Sequence, residues 1–278
     1  MASQNQRYQQ ASDILQPMCK TNIMDSYNIT GVTLAKTPPV TTHQWLQLGD
    51  DDPMFLGAKA LQERYRLDTN CYKNNVRLAA GYRHMPVVLL QNPYKNHDKD
   101  FQDIFTPDSA LTWTRNILEE IGLDIEHDVP VFDICPMISD DWARMKARTG
   151  QLSELRQAIK DAYDLTAQYL EALQPSTVVV LQCATNPCSV KKHAVLSSVE
   201  HPVAQVFCSS MAEAMQKRSR IVRFMQREVR LVPGFHPSRI THETDPATKR
   251  LLAATLRDIL SAVYVPYAQQ INGSANAN

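Results

Sequence analysis

Residues 87–94 of this chain read VVLLQNPY, four apolar residues followed by amide and turn-forming residues. A short apolar run that is rich in β-branched residues and ends in turn residues is typical of a strand buried on both faces. Strands of this kind occur in parallel sheets that helices cover on both sides. The stretch therefore predicts an α/β protein.

Three further runs have the same character, and helical patterns separate them. The runs are 129–134 (VPVFDI), 177–181 (TVVVL) and 229–232 (VRLV). Apolar residues at helical spacing predict helices over 107–121, 152–173, 211–226 and 246–263. Strands that alternate with helices predict an α/β/α sandwich of three layers on a mainly parallel, four-stranded sheet.

The remaining sequence divides the chain into three parts. Residues 1–80 are less regular, with helical patterns at 13–27 and 53–65, and we interpret them as an N-terminal helical extension. Residues 81–265 hold the predicted sheet and form the main α/β domain. Residues 266–278 end in small polar residues, which favours a flexible tail.

The charge balance bears on nucleic-acid binding. Lys and Arg number 29, and Asp and Glu also number 29, so any contact with DNA must come from a local patch. The predicted helix over 211–226 offers one, since basic residues recur along it and just after it. They are Lys217, Arg218, Arg220, Arg223, Arg227 and Arg230. The alternative interpretation is a solvated helix face.

Several classes of protein and site lack support. The N-terminus has no apolar signal-peptide core and no run of eighteen apolar residues occurs, so we expect an intracellular protein, in nucleus or cytoplasm, without a membrane partner. The six cysteines and eight histidines show no metal-ligand spacing. No glycine-rich phosphate motif is present. We predict neither metal nor cofactor.

Polar residues follow the ends of the predicted strands. Gln91 and Asn92 follow the first strand, Asp133 lies near the end of the second, and His236 follows the fourth. In an open parallel sheet, ligands bind beyond the carboxyl ends of the strands. We therefore expect any active site at that edge.

The same segments carry a family resemblance. QNPY, FDICP, VVVLQ and GFHPS occur in the order found in the uracil-DNA glycosylase superfamily, and the chain resembles that family over residues 80–265. The resemblance implies a sandwich on a four-stranded parallel sheet. It also implies a DNA partner, flipping of uracil out of the duplex, and attack of water at C1′ of the sugar.

The resemblance also implies roles for individual residues. Asn92 matches the residue that positions the attacking water, and His236 matches the imidazole that donates to uracil O2 as negative charge develops there. The implied base contacts are Gln91, Tyr94, Asp133 and an aromatic stacking face from Phe101 or Phe105.

A second group of implied roles concerns DNA. Ser238 matches a residue that contacts phosphate, and Arg239 with Ile240 matches the segment that enters the minor groove as a wedge. The basic residues of 211–230 would add phosphate contacts to this segment.

Three positions depart from the family pattern. Leu90 stands where the family usually has Gly, and Asn92 replaces the Asp of the most efficient branch. Asp133 lies near the position of an Asn that reads the uracil edge. An ionised Asp133 would repel a uracil anion and lacks the two amide donors of Asn.

Two other interpretations stay open, so the sequence leaves it undecided whether the protein is an enzyme. One is a glycosylase fold without catalysis, which binds DNA or binds a protein partner through its N-terminal extension. The other is a small-molecule hydrolase or transferase that uses Cys135 or His236, for which a depressed thiol pKa at Cys135 would be the sign.

Overall fold

The computed structural model describes residues 31–33, 46–91, 93, 97–107, 109–181 and 199–275, with the backbone alone for 31–33 and 272–275. Asn92, Tyr94 and the helix predicted over 13–27 therefore lie outside the described residues.

Eight strands occur in the described part of the chain. In order they are β1 (Gly31–Thr33), β2 (Gln47–Leu48), β3 (Gly81–Tyr82), β4 (Val87–Leu90), β5 (Val131–Asp133), β6 (Thr177–Val180), β7 (Arg218–Phe224) and β8 (Arg227–Pro233).

Nine α-helices and two short 3₁₀ helices accompany them in the described ranges. The α-helices are α1 (Leu56–Tyr65), α2 (Thr69–Ala79), α3 (Ala110–Ile121), α4 (Asp140–Arg148), α5 (Leu152–Leu173), α6 (Pro202–Val206), α7 (Met211–Gln216), α8 (Ser238–His242) and α9 (Pro246–Ala275). The 3₁₀ helices are Pro53–Phe55 and Phe101–Ile104.

The main sheet has the strand order β1-β7-β8-β6-β4-β5 among the described residues. Strands β8, β6, β4 and β5 run parallel. Beyond β8, β7 pairs antiparallel with β8, and β1 pairs antiparallel with β7. The predicted mainly parallel α/β sandwich is confirmed, and its four parallel strands are the four that the sequence predicted. Strands β7 and β1 extend that sheet beyond the four strands that the sequence predicted, while β2 and β3 pair separately.

Helices cover both faces of the sheet and bury two apolar clusters. Helices α1, α2, α5 and α6 contribute to the cluster that contains Val87 and Leu89. Helices α3 and α9 contribute to the cluster that contains Val88 and Leu90 on the other face. Successive side chains of a strand point to opposite faces, so all four β4 side chains are buried. This double burial explains the unbroken apolar run.

The prediction of a helix over 211–226 is wrong beyond Gln216. A capping box between Ser210 and Glu213 begins α7, and Lys217 ends it in a left-handed conformation, with φ 49°. Strand β7 follows and pairs antiparallel with β8, where Val222 lies opposite Val229 and both are buried. Cross-strand packing of these β-branched residues outweighs the helical propensity of the neighbouring arginines.

The turn between β7 and β8 explains why the hairpin was missed. Met225 and Gln226 form a two-residue connection with φ 48° and φ 63°. Such a turn usually carries Asn-Gly or Asp-Gly, which are the sequence signals of a hairpin. Neither residue here gives that signal.

Helix α9 continues into residues 266–275, which the sequence assigned to the tail. Its segment Pro246–Ile271 has a mean hydropathy of 1.2, and by length and composition alone this segment could cross a membrane. Half of the apolar window is buried inside the protein, and Leu256, Ile259 and Leu260 are fully buried in the core. These are the properties of a core helix.

The turn between β7 and β8 gives a stability prediction. Left-handed backbone costs a residue with a Cβ about 1 kcal/mol or more, so the double replacement Met225→Asn with Gln226→Gly should raise the free energy of unfolding by about 1 kcal/mol. Urea unfolding followed by circular dichroism measures it. Glu228→Gly, placed within β8, is the control and should destabilise the protein. An unchanged or lower midpoint in the turn variant would contradict the argument.

Candidate functional site

The carboxyl ends of the parallel strands form one edge of the sheet. Leu90 at the end of β4 lies beside Asp133 at the end of β5. The pairing continues past both strands, since the Cys135 N–H donates to the Gln91 carbonyl over 3.1 Å. Val180 of β6 lies beside Pro233 of β8 at the same edge.

Close packing of β6 and β8 positions the segment that carries His236. A Cβ on Gly234 would lie 2.5 Å from the Leu181 side chain, so glycine permits this approach. The buried hydroxyl of Ser209 lies 3.1 Å from the Val180 carbonyl and 2.8 Å from the Gly234 carbonyl. The segment before His236 is thus held against the end of β6.

The hydrogen bonds of His236 determine which of its ring nitrogens can donate. Its Nδ1 accepts from the backbone N–H of Ser238 over 3.3 Å and lies 2.8 Å from the Ser238 hydroxyl. A backbone N–H only donates, so Nδ1 carries a lone pair. The neutral imidazole therefore has its proton on Nε2 and is a hydrogen-bond donor there.

A buried pair of titratable groups lies at the β5 end of the same edge. The side chains of Asp133 and His97 are each 9% exposed, and Oδ2 of Asp133 lies 4.0 Å from Nε2 of His97. This distance is too long for a hydrogen bond. Burial raises the pKa of Asp133 to about 8 and lowers the pKa of His97 to about 4. Both groups are therefore mainly neutral at pH 7.

One ring nitrogen of this pair has no hydrogen-bond partner. The Nδ1 atom of His97 is buried and has no hydrogen-bond partner. Desolvation by burial is the cause of the raised pKa of the Asp133 carboxyl. Buried polar groups are nearly always hydrogen-bonded in proteins, so an unbonded His97 nitrogen beside a buried carboxyl at the ligand-binding edge of a sheet indicates a binding site.

Helix α2 holds the segment that carries His97. The buried amide of Asn74 donates to the carbonyls of His97 and Lys99, each over 2.9 Å. One turn earlier, the Asn70 amide donates to the Asp98 carbonyl over 3.1 Å. The position of His97 thus depends on two side chains of a neighbouring helix.

Helix α5 and a strained loop hold Asp133. The hydroxyl of Thr166 donates to the Ile134 carbonyl over 2.9 Å and lies 3.3 Å from the Asp133 carbonyl. Four residues after Asp133, Met137 is buried with φ 65°, a conformation that L-residues with a side chain rarely adopt. Strain of this kind is often found at functional sites.

Asp133 points to the face of the sheet that α3 and α9 cover. Val131 belongs to the core cluster on that face, whereas Phe132 belongs to the other. Because side chains alternate along a strand, Asp133 shares the face of Val131 and of its neighbour Leu90. The side chain of Leu90 is 5% exposed and lies in that core.

Two of the predicted contact residues are core residues in the structure. Phe101 is 6% exposed, with the Arg77 guanidinium 3.9 Å from its ring centre and Phe105 packed against it edge to face. Ile240 is fully buried. The wedge role predicted for Ile240 does not fit this burial. Phe105 is less buried, although Arg115 covers one of its faces.

The other predicted residues differ in exposure. Gln91 is partly buried directly after β4, Ser238 is partly buried against His236, and Arg239 is exposed on α8. Asn92 and Tyr94 lie outside the described residues, so their predicted roles stay predictions.

The predicted basic helix face does not form, because its arginines lie on two antiparallel strands. Arg220 pairs with Glu213 and donates to the Cys208 carbonyl over 2.7 Å. Arg227 donates to the Pro175 carbonyl over 3.1 Å. Since these guanidinium groups serve internal contacts, a continuous phosphate patch on one helix face is not a feature of the protein.

Cys135 lacks the properties of a nucleophile. Its side chain is 1% exposed, and burial together with the nearby Asp133 raises its thiol pKa well above the usual value. The reactive form of cysteine is the thiolate, which is scarce under these conditions. The structure therefore does not support a thiol-dependent hydrolase or transferase.

His97 is the site residue that sequence reasoning missed. It occurs in the polar stretch NHDK, without a motif or a periodic pattern. Only its place between the first strand and the next helix could have drawn attention to it. Among the described residues, no group of three or more His, Cys, Asp or Glu residues could hold a metal ion.

Comparison of the sequence with protein-family models gives no match, and comparison with curated proteins gives none either.

The raised pKa of Asp133 predicts how stability depends on pH. The folded protein keeps a proton that the unfolded chain releases, so the stabilisation is complete below the ordinary Asp pKa and is lost as pH rises towards 8. Between pH 6.5 and 8, the free energy of unfolding should fall by about 1–2 kcal/mol more in the wild type than in Asp133→Asn. Urea unfolding at each pH measures the difference.

The His97 variant is the matched comparison. Because the pKa of His97 is lowered in the folded protein, the contribution of this histidine to stability is complete above pH 6.5 and is lost as pH falls towards 4. His97→Gln should therefore flatten the acidic part of the profile only. Parallel wild-type and Asp133→Asn profiles would show that Asp133 ionises normally in the folded protein.

Proposed function

We propose that this protein is a DNA glycosylase that excises uracil from DNA by flipping the nucleotide and attacking C1′ with water. Two observations support the proposal. They are the order of the sequence motifs and the position of their described residues at one edge of the sheet. Asp133 ends one parallel strand, and Gln91 and His236 come after two others, all at the same carboxyl edge. This is the edge at which open parallel sheets bind ligands.

The reaction needs few groups. Cleavage of the N-glycosidic bond leaves positive charge on the sugar and negative charge on the base. A donor placed at the base oxygen stabilises the transition state, and a positioned water completes the reaction at the sugar. No metal or cofactor is needed for either step.

The observation that carries the proposal is the geometry of His236. The Ser238 backbone N–H occupies Nδ1, so the neutral ring donates from Nε2. A neutral donor suits a base that becomes an anion, because it strengthens its hydrogen bond as charge develops. In this proposal Asn92 positions the water, as the family resemblance implies.

The second candidate is a glycosylase fold that binds DNA without catalysis. The burial of Ile240 favours it, because the predicted apolar wedge is absent from the surface of α8. The same assay separates the two candidates, since only the first releases uracil.

Uracil release from single- and double-stranded oligonucleotides at low salt tests the proposal. His236→Ala and Asn92→Ala should each lower the rate by about two orders of magnitude or more, because each removes stabilisation of the transition state. His242→Ala, which changes an exposed histidine of α8, is the matched control and should act like the wild type. Intact DNA binding without release would favour the second candidate.

The salt dependence of DNA binding tests the role of Arg239. The resemblance assigns Arg239 to the segment that enters the minor groove, and this residue is exposed beside the buried Ile240. We expect its guanidinium to contribute charge to the DNA contact. Arg239→Ala should weaken binding to all sequences alike and lower the slope of log affinity against log salt by about 1. Arg250→Ala, which changes an exposed arginine of α9, should leave the slope unchanged. An identical slope in both variants would remove Arg239 from the interface.

A further inference from the structure

Strand β1 covers part of the outer edge of β7, which faces away from β8. The two strands pair antiparallel, and their register places Gly31 opposite Arg220. Strand β7 continues beyond that pair to Phe224. In the described part of the chain, residues 222–224 pair with β8 alone. The outer edge of this stretch can therefore accept a further strand.

An apolar groove lies beside the same end of β7. Its volume is about 410 Å³, and its apolar walls are Val203 and Val206 of α6, Phe224 of β7 and Met225 of the turn. This volume is far larger than one water molecule needs, so bulky side chains fit it. Met225 is 47% exposed, and Phe224 is partly exposed. Apolar surface in contact with water favours an apolar occupant.

The groove lies on the face of the sheet to which Val222 and Phe224 point. Val222 belongs to the apolar cluster that α6 also enters, and Phe224 packs against that cluster. The rings of Phe224 and Phe207 meet edge to face, with centres 5.0 Å apart. Arg223, which lies between Val222 and Phe224 in the chain, is exposed. A strand beside this stretch therefore needs apolar side chains opposite Val222 and Phe224 and a polar one opposite Arg223.

The residues before Gly31 have the sequence that this edge requires. Residues 27–30 read YNIT and lie outside the described residues. Extension of the β1 register pairs Thr30 with Ile221, Ile29 with Val222, Asn28 with Arg223 and Tyr27 with Phe224. Directly opposite residues of an antiparallel pair share a face of the sheet. The two apolar residues thus fall on the face of the groove, and the two polar residues fall on the other face.

We propose that residues 27–30 continue β1 along the edge of β7, and that the side chains of Tyr27 and Ile29 fill the groove beside α6. The occupant is this chain itself, because the pairing of Gly31 already brings these residues to the edge without the cost of binding a second molecule.

The direction of the docked segment has a consequence for the N-terminal extension. The segment runs towards the turn at residues 225–226, which lies at the amino ends of the parallel strands. Residues before Tyr27 therefore leave the sheet at the end opposite to the carboxyl edge that carries His236. A protein partner bound by the extension would leave that edge open to DNA.

Disulfide formation tests the register. Asn28→Cys with Arg223→Cys places two cysteines directly opposite each other, within the Cα separation of about 4.4–6.8 Å that a disulfide needs. Mild oxidation of the full chain should link them within one molecule, as mass spectrometry of the linked peptides measures. Asn28→Cys with Glu228→Cys is the matched control. Glu228 is exposed and pairs with Arg223 from β8, one strand further away at about 10 Å, so this pair should stay reduced.

Alanine substitutions test the docking of the side chains. Tyr27→Ala and Ile29→Ala should each lower the melting temperature by about 3 °C or more, because each removes buried apolar surface. Asn28→Ala and Thr30→Ala are the neighbouring controls and should lower it by less than about 1 °C. Combining Tyr27→Ala with Phe224→Ala should lower it by less than the sum of the two single effects, since both remove the same contact.

The outcomes decide which molecule fills the groove. Alternating large and small effects along residues 27–30, together with the disulfide between positions 28 and 223, would support the inference. Equal effects at all four positions would overturn it, as would equal oxidation of the two cysteine pairs. Disulfide-linked dimers would assign the groove to a second copy of the chain and overturn it too. Neither readout depends on uracil release, so this inference and the proposed function can fail separately.

Discussion

The structure depends on the burial of β4 from both sides. Val87 and Leu89 pack into one apolar cluster, Val88 and Leu90 pack into the other, and β5 and β6 pair with the two edges of the strand. A strand with no solvent-exposed face and no free edge requires helices above and below the sheet. Parallel neighbours also require that the chain return through crossover helices. These requirements bring the loops after the parallel strands to one edge, where Gln91, Asp133 and His236 lie.

The same edge buries two titratable side chains, Asp133 and His97. Asp133 and His97 lose water without gaining a hydrogen bond to each other. Such buried groups lower the stability of a protein, and they are found mostly at functional sites. The surrounding structure holds them in position, with Asn74 bonded to the His97 segment and Thr166 bonded to the backbone beside Asp133.

Local patterns predicted much of the fold and part of the site. The four parallel strands were visible because each is a short apolar run, and the long helix α5 was visible from its apolar stripe. The hairpin of β7 and β8 was not visible, because its turn lacks the Asn-Gly signal and its arginines resemble a helix face. Asp133 and His236 could be named from motifs. His97 could not, because no motif contains it.

The sequence by itself determined the α/β class, the parallel strands and the end of the sheet at which polar residues gather, since apolar periodicity and strand-ending residues are local properties of the chain. Only the tertiary structure decided the protonation of Asp133, the donor nitrogen of His236 and the burial of Ile240. Each of these depends on which groups from distant segments surround a side chain. Desolvation and hydrogen bonding act through space, so residue order alone does not reveal them.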